Sequence, residues 1–420
     1  MDSTLTSHPA STLIESVRSR PGDDPIFSLN AEARARAQAG ESILNATLGA
    51  LMDDEGKLCV LPSMADAIAR VPAEAAAAYA PILGPPAFLD AVIEDVFGDS
   101  QLAAWSTAAA TAGGTGAILH AITAYLDVGQ SLLTTDYFWA PYRIIASHTR
   151  RAVETFRMFN EEGRFDLRAF EESLAAQIAR QGRVLALLNV PCHNPTGYTL
   201  DEEEWRGLTE ILARHAGKAP IAVLFDIAYA KFGAQGTESF SAHLAAIAEH
   251  VQVLVAWSGS KSFAQYGARI GSLIAVHSDE EERGRIKNAL SFACRGTWSN
   301  CNHLGMLAVT DLLQTPEHRA SSERERAALI RLLDERVEAF NQEAAGHELH
   351  YPRYEGGFFV AAFSEDAQVT AAHMREAGVY VVPLGGAVRI ALCSTPKAQI
   401  PRLVQATAAG VAAAREARGS

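Results

Sequence analysis

The sequence has no long hydrophobic run, and no apolar stretch reaches the roughly 18 residues that a transmembrane helix needs. Residues 1–24 mix charged and hydroxyl side chains and contain no apolar segment of the kind that a secretory signal peptide carries. We therefore expect no membrane partner. Both patterns are typical of a cytoplasmic protein.

Cysteine is scarce, with five residues in 420. An odd number of scattered cysteines without a CxxC pair is not typical of a disulfide framework or of a metal site. Such thiols are expected to be reduced, as in the cytoplasm, and to serve as small apolar fillers. No metal is predicted. The cysteines are Cys59, Cys192, Cys294, Cys301 and Cys393.

Basic residues are fewer than acidic ones. Lys and Arg together number 36 against 49 Asp and Glu, which gives a net charge of −13. Because nucleic acids are bound by basic surfaces, this balance argues against a nucleic-acid partner. The composition, 48% hydrophobic and 20% charged, is that of an ordinary globular protein. A chain of 420 residues allows two or three domains.

Short apolar segments alternate with amphipathic ones between about residues 100 and 305. The amphipathic stretches 166–182 and 201–217 carry acidic residues in their first turns and end near a glycine, as helices prefer. This alternation predicts an α/β fold with a mostly parallel sheet covered by helices on both faces. The strand-like segments are 131–136, 184–190, 221–227, 251–257 and 271–277.

The pattern changes after residue 305. A long charged amphipathic helix is predicted over about 318–345, and a closing helix begins at about 397. The combination of short strands with flanking helices favours a smaller α+β domain. Its strand-like segments are 356–363, 379–384 and 387–392.

We therefore divide the chain into three parts. Residues 51–310 are predicted to form the large domain, and residues 311–420 the small C-terminal α+β domain. Residues 1–50 are expected either to belong with the small domain or to reach out as an N-terminal arm. The alanine-rich segment 73–79 is predicted to be helical.

Polar and glycine-rich groups follow several of the strand-like segments. Because ligands bind at the carboxyl ends of strands in open α/β sheets, these groups are expected to meet at one edge. The GGTG stretch alone is more typical of a plain turn into a helix, so the prediction depends on the whole set. The set comprises Gly113, Gly114, Thr115, Trp139, Asn194, Asp226, Tyr229, Ser258, Ser260, Lys261 and Arg269.

Part of this set suits a phosphate group. Gly113, Gly114 and Thr115 can present backbone N–H groups and a hydroxyl at a helix N-terminus, where anions bind. Arg269 can add a planar bidentate grip, and two hydroxyls can complete the cage. These hydroxyls belong to Ser258 and Ser260.

The rest of the set suits a flat aromatic aldehyde. Asp226 can pair with a protonated ring nitrogen, Asn194 and Tyr229 can hydrogen-bond a phenolate oxygen, and Trp139 can stack on the ring. Lys261 follows a buried strand and would supply the amine of a Schiff base. A phosphate, an aldehyde, a phenolate and a pyridinium together describe pyridoxal 5′-phosphate.

With these residues in place, the chain resembles the class I aminotransferases of the fold-type I pyridoxal-phosphate enzymes, and within them the aspartate and aromatic group. The resemblance runs from about residue 43 to 392. It implies a large domain with a seven-stranded sheet and a smaller α+β domain. The motifs that carry it are AYAPILG (78–84), GGTG (113–116), CHNPTG (192–197), FDIAY (225–229), SGSKSFAQYGARIG (258–271), RGTWSN (295–300), GGFF (356–359) and VRI (388–390).

The resemblance also implies roles for single residues. Lys261, Asp226 and Tyr229 would be catalytic, with Lys261 as the lysine of the internal aldimine. Arg389 would hold the substrate α-carboxylate by a fork of two hydrogen bonds. Further substrate contacts would come from Gly49 and from two residues already placed at the cofactor, Asn194 and Trp139.

Two further matches concern assembly. Tyr79 matches a tyrosine that the family sends across a dimer interface to the partner's cofactor phosphate. Arg295 matches a cross-subunit arginine that reads a distal carboxylate in aspartate enzymes, although a helix-end arginine on the rim is an alternative. The resemblance therefore implies a homodimer with shared active sites, as a two-fold assembly permits.

The chain departs from the family pattern at several positions. Many aspartate aminotransferases read YSNPP where this chain has WSNCN, with Trp298, Cys301 and Asn302. Tyr142 and Asn189 stand where the family commonly has histidines. These changes put the tuning of Asp226 and the shape of the substrate pocket in doubt, so an aromatic substrate is as credible as a dicarboxylate.

The predicted activity is transfer of an amino group from an L-amino acid such as aspartate, glutamate, phenylalanine or tyrosine to a 2-oxo acid. A lyase or decarboxylase on the same fold is the first alternative, and Arg389 favours transamination because it retains the α-carboxylate. The effector domain of a transcription regulator is a second alternative. It is disfavoured because the roughly 50 residues before NATLGA show no basic helix-turn-helix pattern.

Overall fold

The computed structural model describes residues 11–18, 20, 22, 25–233 and 240–419, so the start of the predicted N-terminal arm lies outside the described residues. The strands are β1 (Leu44–Asn45), β2 (Ser106–Ala112), β3 (Ser131–Thr135), β4 (Ala152–Phe156), β5 (Val184–Leu188), β6 (Ile221–Asp226), β7 (Gln252–Ser258), β8 (Ile270–Val276), β9 (Phe359–Phe363), β10 (Val379–Tyr380), β11 (Val382–Pro383) and β12 (Ala387–Ala391).

The α-helices lie between and around these strands. In chain order they are α1 (Glu15–Arg18), α2 (Pro25–Gln38), α3 (Pro62–Arg70), α4 (Ala73–Ala77), α5 (Pro86–Phe97), α6 (Gln101–Ala104), α7 (Gly113–Tyr125), α8 (Pro141–His148), α9 (Leu167–Gln181), α10 (Glu202–His215), α11 (Phe240–Ala248), α12 (Gly259–Ser262), α13 (Glu280–Gly296), α14 (His303–Gln314), α15 (Pro316–Ala344), α16 (Ala367–Glu376) and α17 (Ile400–Gly419). Within the described ranges, none of them has the length and hydrophobicity needed to span a bilayer.

The main sheet of the described chain has seven strands in the order β2-β8-β7-β6-β5-β3-β4. β3 to β7 pair in parallel, whereas β8 is antiparallel to both β7 and β2. Every residue of β3, β5 and β6 is buried, because helices cover both faces of the sheet. The predicted mostly parallel seven-stranded sheet is confirmed.

The sequence patterns find five of these strands with their ends correct to within two residues, and they miss β2 and β4. β2 reads STAAATA, and alanine has a low preference for strands. It is nevertheless a strand because it pairs with β8 over the full length from Ser106–Val276 to Ala112–Ile270. Pairing with the neighbouring strand β8 has therefore outweighed the low strand propensity of the alanines in β2.

Two helices show why their sequences begin and end where they do. Asp201 caps α10 by accepting from the Glu204 N–H, and the Glu204 carboxylate accepts from the Asp201 N–H in return. Asp166 caps α9, which ends at Gly182 in the left-handed conformation, with φ +70°. Both helices cover the main sheet where the sequence predicted them.

A second, smaller sheet has the order β11-β12-β9, with both pairings antiparallel. β1 pairs in parallel with β10, so the chain near residue 44 joins the C-terminal part. The predicted helix over about 318–345 is α15, and α17 is the closing helix. The α+β character predicted for this region is present.

The chemistry predicted above depends on one edge of the main sheet. β2, β5, β6 and β7 all end there, and β8 starts there, since Ala112 lies opposite Ile270 and Ser258 lies opposite Gly271. The groups that follow these strands therefore meet at the carboxyl edge of the parallel sheet.

Candidate active site

The lysine at the centre of the prediction lies just beyond strand β7. Ser258 ends β7 and caps the short helix α12 by accepting from the Ser260 N–H at 3.2 Å. Lys261 is half-buried, with Nζ 4.8 Å from the ring centroid of Tyr266 and 5.6 Å from that of Tyr229. Burial lowers the pKa of the Lys261 amine to about 8, so its uncharged form is populated at far lower pH than for an ordinary lysine.

Asp226 ends the neighbouring strand β6 and is buried. Its Oδ2 accepts a hydrogen bond from Tyr142 Oη at 2.6 Å, and its Oδ1 accepts from the Ala228 N–H at 3.2 Å. Burial raises the pKa of the Asp226 carboxyl, while these two donors and the charge of Lys261 act in the opposite direction. The result is a buried, oriented carboxyl group at the sheet edge.

Asn189, which follows strand β5, ties Asp226 to Asn194. Its Nδ2 donates to the Asp226 carbonyl at 2.8 Å, and its Oδ1 accepts from the Asn194 N–H at 2.6 Å. Asn194 Nδ2 in turn donates to Tyr229 Oη at 3.3 Å. Burial raises the pKa of the Tyr229 phenol, so this hydroxyl stays protonated. The ends of β5 and β6 are therefore held in one network.

An anion cradle forms where helix α7 begins. Gly113 has φ +69°, and a Cβ at Gly271 would lie 2.3 Å from the Gly113 carbonyl carbon, so only glycine permits this crossing of backbones. Arg269 reaches into the same place, with Nη1 3.3 Å from Ser260 Oγ and Nη2 3.5 Å from Thr115 Oγ1. A helix N-terminus, two hydroxyls and a guanidinium together suit a phosphate.

A cavity of about 120 Å³ lies between the cradle and the strand ends. Asn194 Oδ1 is buried there, and in the described part of the chain no hydrogen-bond donor reaches it, which is unusual for a buried polar atom. An open cradle, an amine, a buried carboxyl and an unsatisfied amide oxygen all fit pyridoxal phosphate. The cavity is lined by Gly114, Thr115, Ile118, Trp139, Asn189, Asn194, Asp226, Ala228, Tyr229, Ser258, Ser260, Lys261 and Arg269.

Arg389 lies near this cavity, because the Phe359 ring beneath its guanidinium meets the ring of the lining residue Tyr229 edge-on at 5.7 Å. It is buried, its Nη2 donates to the Thr47 carbonyl at 2.6 Å, and its Cζ lies 4.5 Å from the ring centroid of Phe359. A Cβ at Gly49 would come within 2.5 Å of Phe359 Cζ, so the glycine lets this ring lie under the arginine. A buried guanidinium of this kind suits a carboxylate.

Five of the predicted residues do not line the cavity, and two of them are exposed; the five are Gly49, Gly113, Arg389, Tyr79 and Arg295. Tyr79 is 92% exposed. Arg295 is exposed in the last turn of α13, with Nη1 3.4 Å from Ser299 Oγ. Neither lines the cavity.

The structure adds residues that the sequence reasoning left out of the site. Ile118 lines the cavity one helical turn beyond Gly114, and a search at i+4 spacing along α7 would have found it. Tyr142 stands three residues after Trp139 on α8, with the two rings edge-on at 5.5 Å. The sequence marked Tyr142 as a departure that bears on Asp226, but its direct hydrogen bond to the Asp226 carboxylate was not predicted.

Comparison with known proteins supports the chemistry read from this geometry. Residues 41–406 match the family of class I and II aminotransferases. The aromatic-amino-acid aminotransferase of Paracoccus denitrificans is 30% identical over 91% of this chain and 96% of its own length. The aspartate aminotransferase of Pseudomonas aeruginosa is 30% identical, again over 91% of this chain and 96% of its own length.

A solved structure is similar over nearly the whole molecule. The aminotransferase of Anaerococcus prevotii is 31% identical and superposes with a TM-score of 0.90, over 96% of this chain and 99% of its own. The family match covers both the strand ends that form the cavity and the C-terminal sheet that carries Arg389. The chain belongs to the class I and II aminotransferases and is a pyridoxal-phosphate-dependent transaminase of fold type I.

Proposed function

We propose that this transaminase moves the amino group of an L-amino acid with an aromatic or dicarboxylic side chain to a 2-oxo acid, with Lys261 as the catalytic base. The observation that carries the proposal is the half-buried Lys261 amine, which has a pKa of about 8 and lines the same cavity as the Asp226 carboxylate. The names of the relatives, aromatic-amino-acid and aspartate aminotransferase, support this substrate range.

Pyridoxal phosphate, when bound, supplies an aldehyde that takes up the amino group and a ring that accepts electrons. Asp226 holds a proton on the ring nitrogen, as its buried carboxyl suits a cationic N–H. Asn194 and Tyr229 hydrogen-bond the ring oxygen, and Trp139 covers the ring. These contacts fix the orientation of the ring relative to Lys261.

The cradle residues hold the phosphate. Gly113, Gly114 and Thr115 offer the free N–H groups of the first turn of α7, and Arg269 adds positive charge. Ser258 and Ser260 complete the set. These residues would hold the phosphate and so keep the cofactor in a fixed position relative to Lys261.

The free Lys261 amine takes the proton from the substrate Cα. A base works best when its pKa is close to the working pH, and burial has brought the amine from its ordinary value to about 8. Arg389 holds the substrate carboxylate by two parallel hydrogen bonds. Because this grip retains the carboxylate, it favours transamination over decarboxylation.

We further propose a cytoplasmic homodimer with shared sites. Tyr79 and Arg295 are exposed, and they match residues with which the family completes its partner's site. Phe292, one turn before Arg295 on α13, is 84% exposed, as expected for a side chain that a second subunit covers. In this assembly Tyr79 contacts the partner's cofactor phosphate, and Arg295 selects a distal carboxylate.

The domain division also belongs to this proposal. One buried cluster joins Leu44 and Ala46 to residues of β9, β12, α15 and α17, which supports grouping the described part of residues 1–50 with the small domain, 311–420. Two other clusters surround the main sheet of residues 51–310. The substrate would bind where the two units meet, between Lys261 and Arg389.

The experiment is an absorption titration of the purified holoenzyme with L-aspartate, L-glutamate, L-phenylalanine and L-alanine. We expect the band of the bound aldehyde form to bleach as the amine form accumulates, and the most effective donor identifies the pocket. Bleaching that a 2-oxo acid reverses indicates transamination. Release of many pyruvate molecules per active site without any amino acceptor would instead establish the lyase alternative, because the half-reaction with alanine releases only one.

A further inference from the structure

Tyr142 makes a contact with the candidate site that goes beyond the roles assigned above. Its Oη donates to Asp226 Oδ2 at 2.6 Å, within the short range typical of an O–H···O⁻ hydrogen bond. We propose that Tyr142 is a positioning residue that keeps the Asp226 carboxylate ionised and aimed at the cofactor ring nitrogen. The inference rests on the role proposed for Asp226.

The phenol is held so that it has little freedom to turn away. Tyr142 is fully buried, stacks with Phe138 at a centroid distance of 6.2 Å, and meets Trp139 edge-on at 5.5 Å. Tyr142 lies in the first turn of α8, and Phe138 and Trp139 lie just before that helix, beside the cavity that Trp139 lines. The packing therefore fixes Oη against Oδ2, and a fixed donor orients the carboxylate.

The groups that face Asp226 make this donor necessary. Burial raises the pKa of the carboxyl, and the Tyr142 hydrogen bond is the largest of the effects that oppose the rise. The Ala228 N–H and the charge of Lys261 contribute in the same direction. Tyr229, the other titratable neighbour, stays neutral because burial raises its pKa. Without Tyr142, the buried Asp226 carboxylate would lose the hydrogen bond that does most to keep it ionised.

A buried phenol remains protonated over a pH range in which an imidazole would titrate. Burial, together with the Asp226 charge, raises the pKa of Tyr142 well above its ordinary value, so it remains a neutral donor throughout the working range. A histidine in this position would titrate near neutral pH. The support of Asp226 in this chain is therefore independent of pH.

The test is Tyr142→Phe in the full chain, which removes the hydroxyl and keeps the ring. A more basic Asp226 pulls the proton from the ring nitrogen, so positive charge is lost from the bound cofactor. We expect the pH midpoint of its absorption band to rise by roughly one unit, and apo-protein to bind pyridoxal phosphate about tenfold more weakly.

Tyr125→Phe is the matched control. Tyr125 Oη is also buried, but it has no hydrogen-bond partner among the described residues and lies away from the cavity. We expect its band midpoint and cofactor affinity to equal those of the unmodified protein. Tyr142→His is the second variant, and we expect it to restore the affinity while adding a second pH transition near neutral pH.

The possible outcomes distinguish a failure of the positioning role of Tyr142 from a failure of the proposed function. Unchanged affinity and band midpoint in Tyr142→Phe would overturn the positioning role, and so would a lower melting temperature as the sole effect. If Tyr142→Phe fails to fold, Tyr142→His decides, because absence of the added pH transition overturns the inference. A failure of the unmodified protein to bind pyridoxal phosphate would instead contradict the proposed function itself.

Discussion

The indole of Trp298 stacks on the imidazole of His120, with ring centroids 4.4 Å apart and planes 11° apart. His120 belongs to α7, the helix whose first turn forms the phosphate cradle. Burial lowers the pKa of His120 to about 4, so the ring is neutral and stacks as an aromatic surface. One face of the Trp298 indole is therefore used for packing. Trp298, which stands three residues after Arg295, is therefore anchored to helix α7.

Gly116→Ala tests this packing. A Cβ at Gly116 would lie 2.8 Å from Trp298 Cη2, so the indole must move. We expect a loss of about 1–3 kcal/mol in the free energy of unfolding, measured with urea. Gly284→Ala is the control, since Gly284 lies in helix α13 with nothing within 4 Å of its added Cβ. That change should stabilise the protein by about 0.5–1 kcal/mol, and equal effects of the two changes would contradict the prediction.

The pKa of Lys261 predicts how fast the apo-protein captures pyridoxal phosphate. Only the uncharged amine attacks the aldehyde, and the Lys261 amine has a pKa of about 8. The rate should rise about tenfold per pH unit below pH 8 and level off above it. Borohydride trapping and mass spectrometry measure the rate, with Lys261→Ala as the blank. A rate still rising at about pH 10 would indicate an ordinary lysine.

Arg389→Lys tests the carboxylate grip. Lysine keeps the charge but loses the two parallel donors, so KM for the amino acid should rise about 10- to 100-fold while kcat changes less. Steady-state kinetics with the preferred donor measures both constants. Arg214→Lys alters an exposed pair with Glu171 and should leave KM unchanged. An unchanged KM in Arg389→Lys would place the carboxylate elsewhere.

Hybrid dimers test whether the sites are shared. Lys261→Ala and Arg295→Ala should each be poorly active on aspartate when purified alone. After the two are mixed and the subunits exchange, a hybrid carries one site with both Lys261 and the partner's Arg295. Aspartate activity should then recover to about one quarter of the unmodified level, because half of the dimers have one intact site. If mixing restores nothing although exchange is complete, Arg295 does not act across the interface.

Much of the candidate site follows from local patterns. Asp226 and Lys261 were located because buried strands are visible as apolar runs, and the residues just after such strands lie at the ligand-binding edge. The same logic placed Asn194 and the GGTG turn. Contacts between segments that are distant in the sequence cannot be predicted from such local patterns. Tyr142 and Asp226 are 84 residues apart, and their hydrogen bond depends on how α8 lies against the end of β6.

The sequence by itself determined the α/β class, the order of the elements and the residues at the strand ends, because burial on both faces of a sheet demands continuous apolar runs. Only the tertiary structure decided that the alanine-rich β2 is a strand, that Asn189 and Tyr142 support Asp226, and that Trp298 rests on His120. For most elements the backbone conformation is set largely by the residues adjacent in the sequence. Which side chains meet is set by the packing of helices across the sheet, and no local pattern encodes that packing.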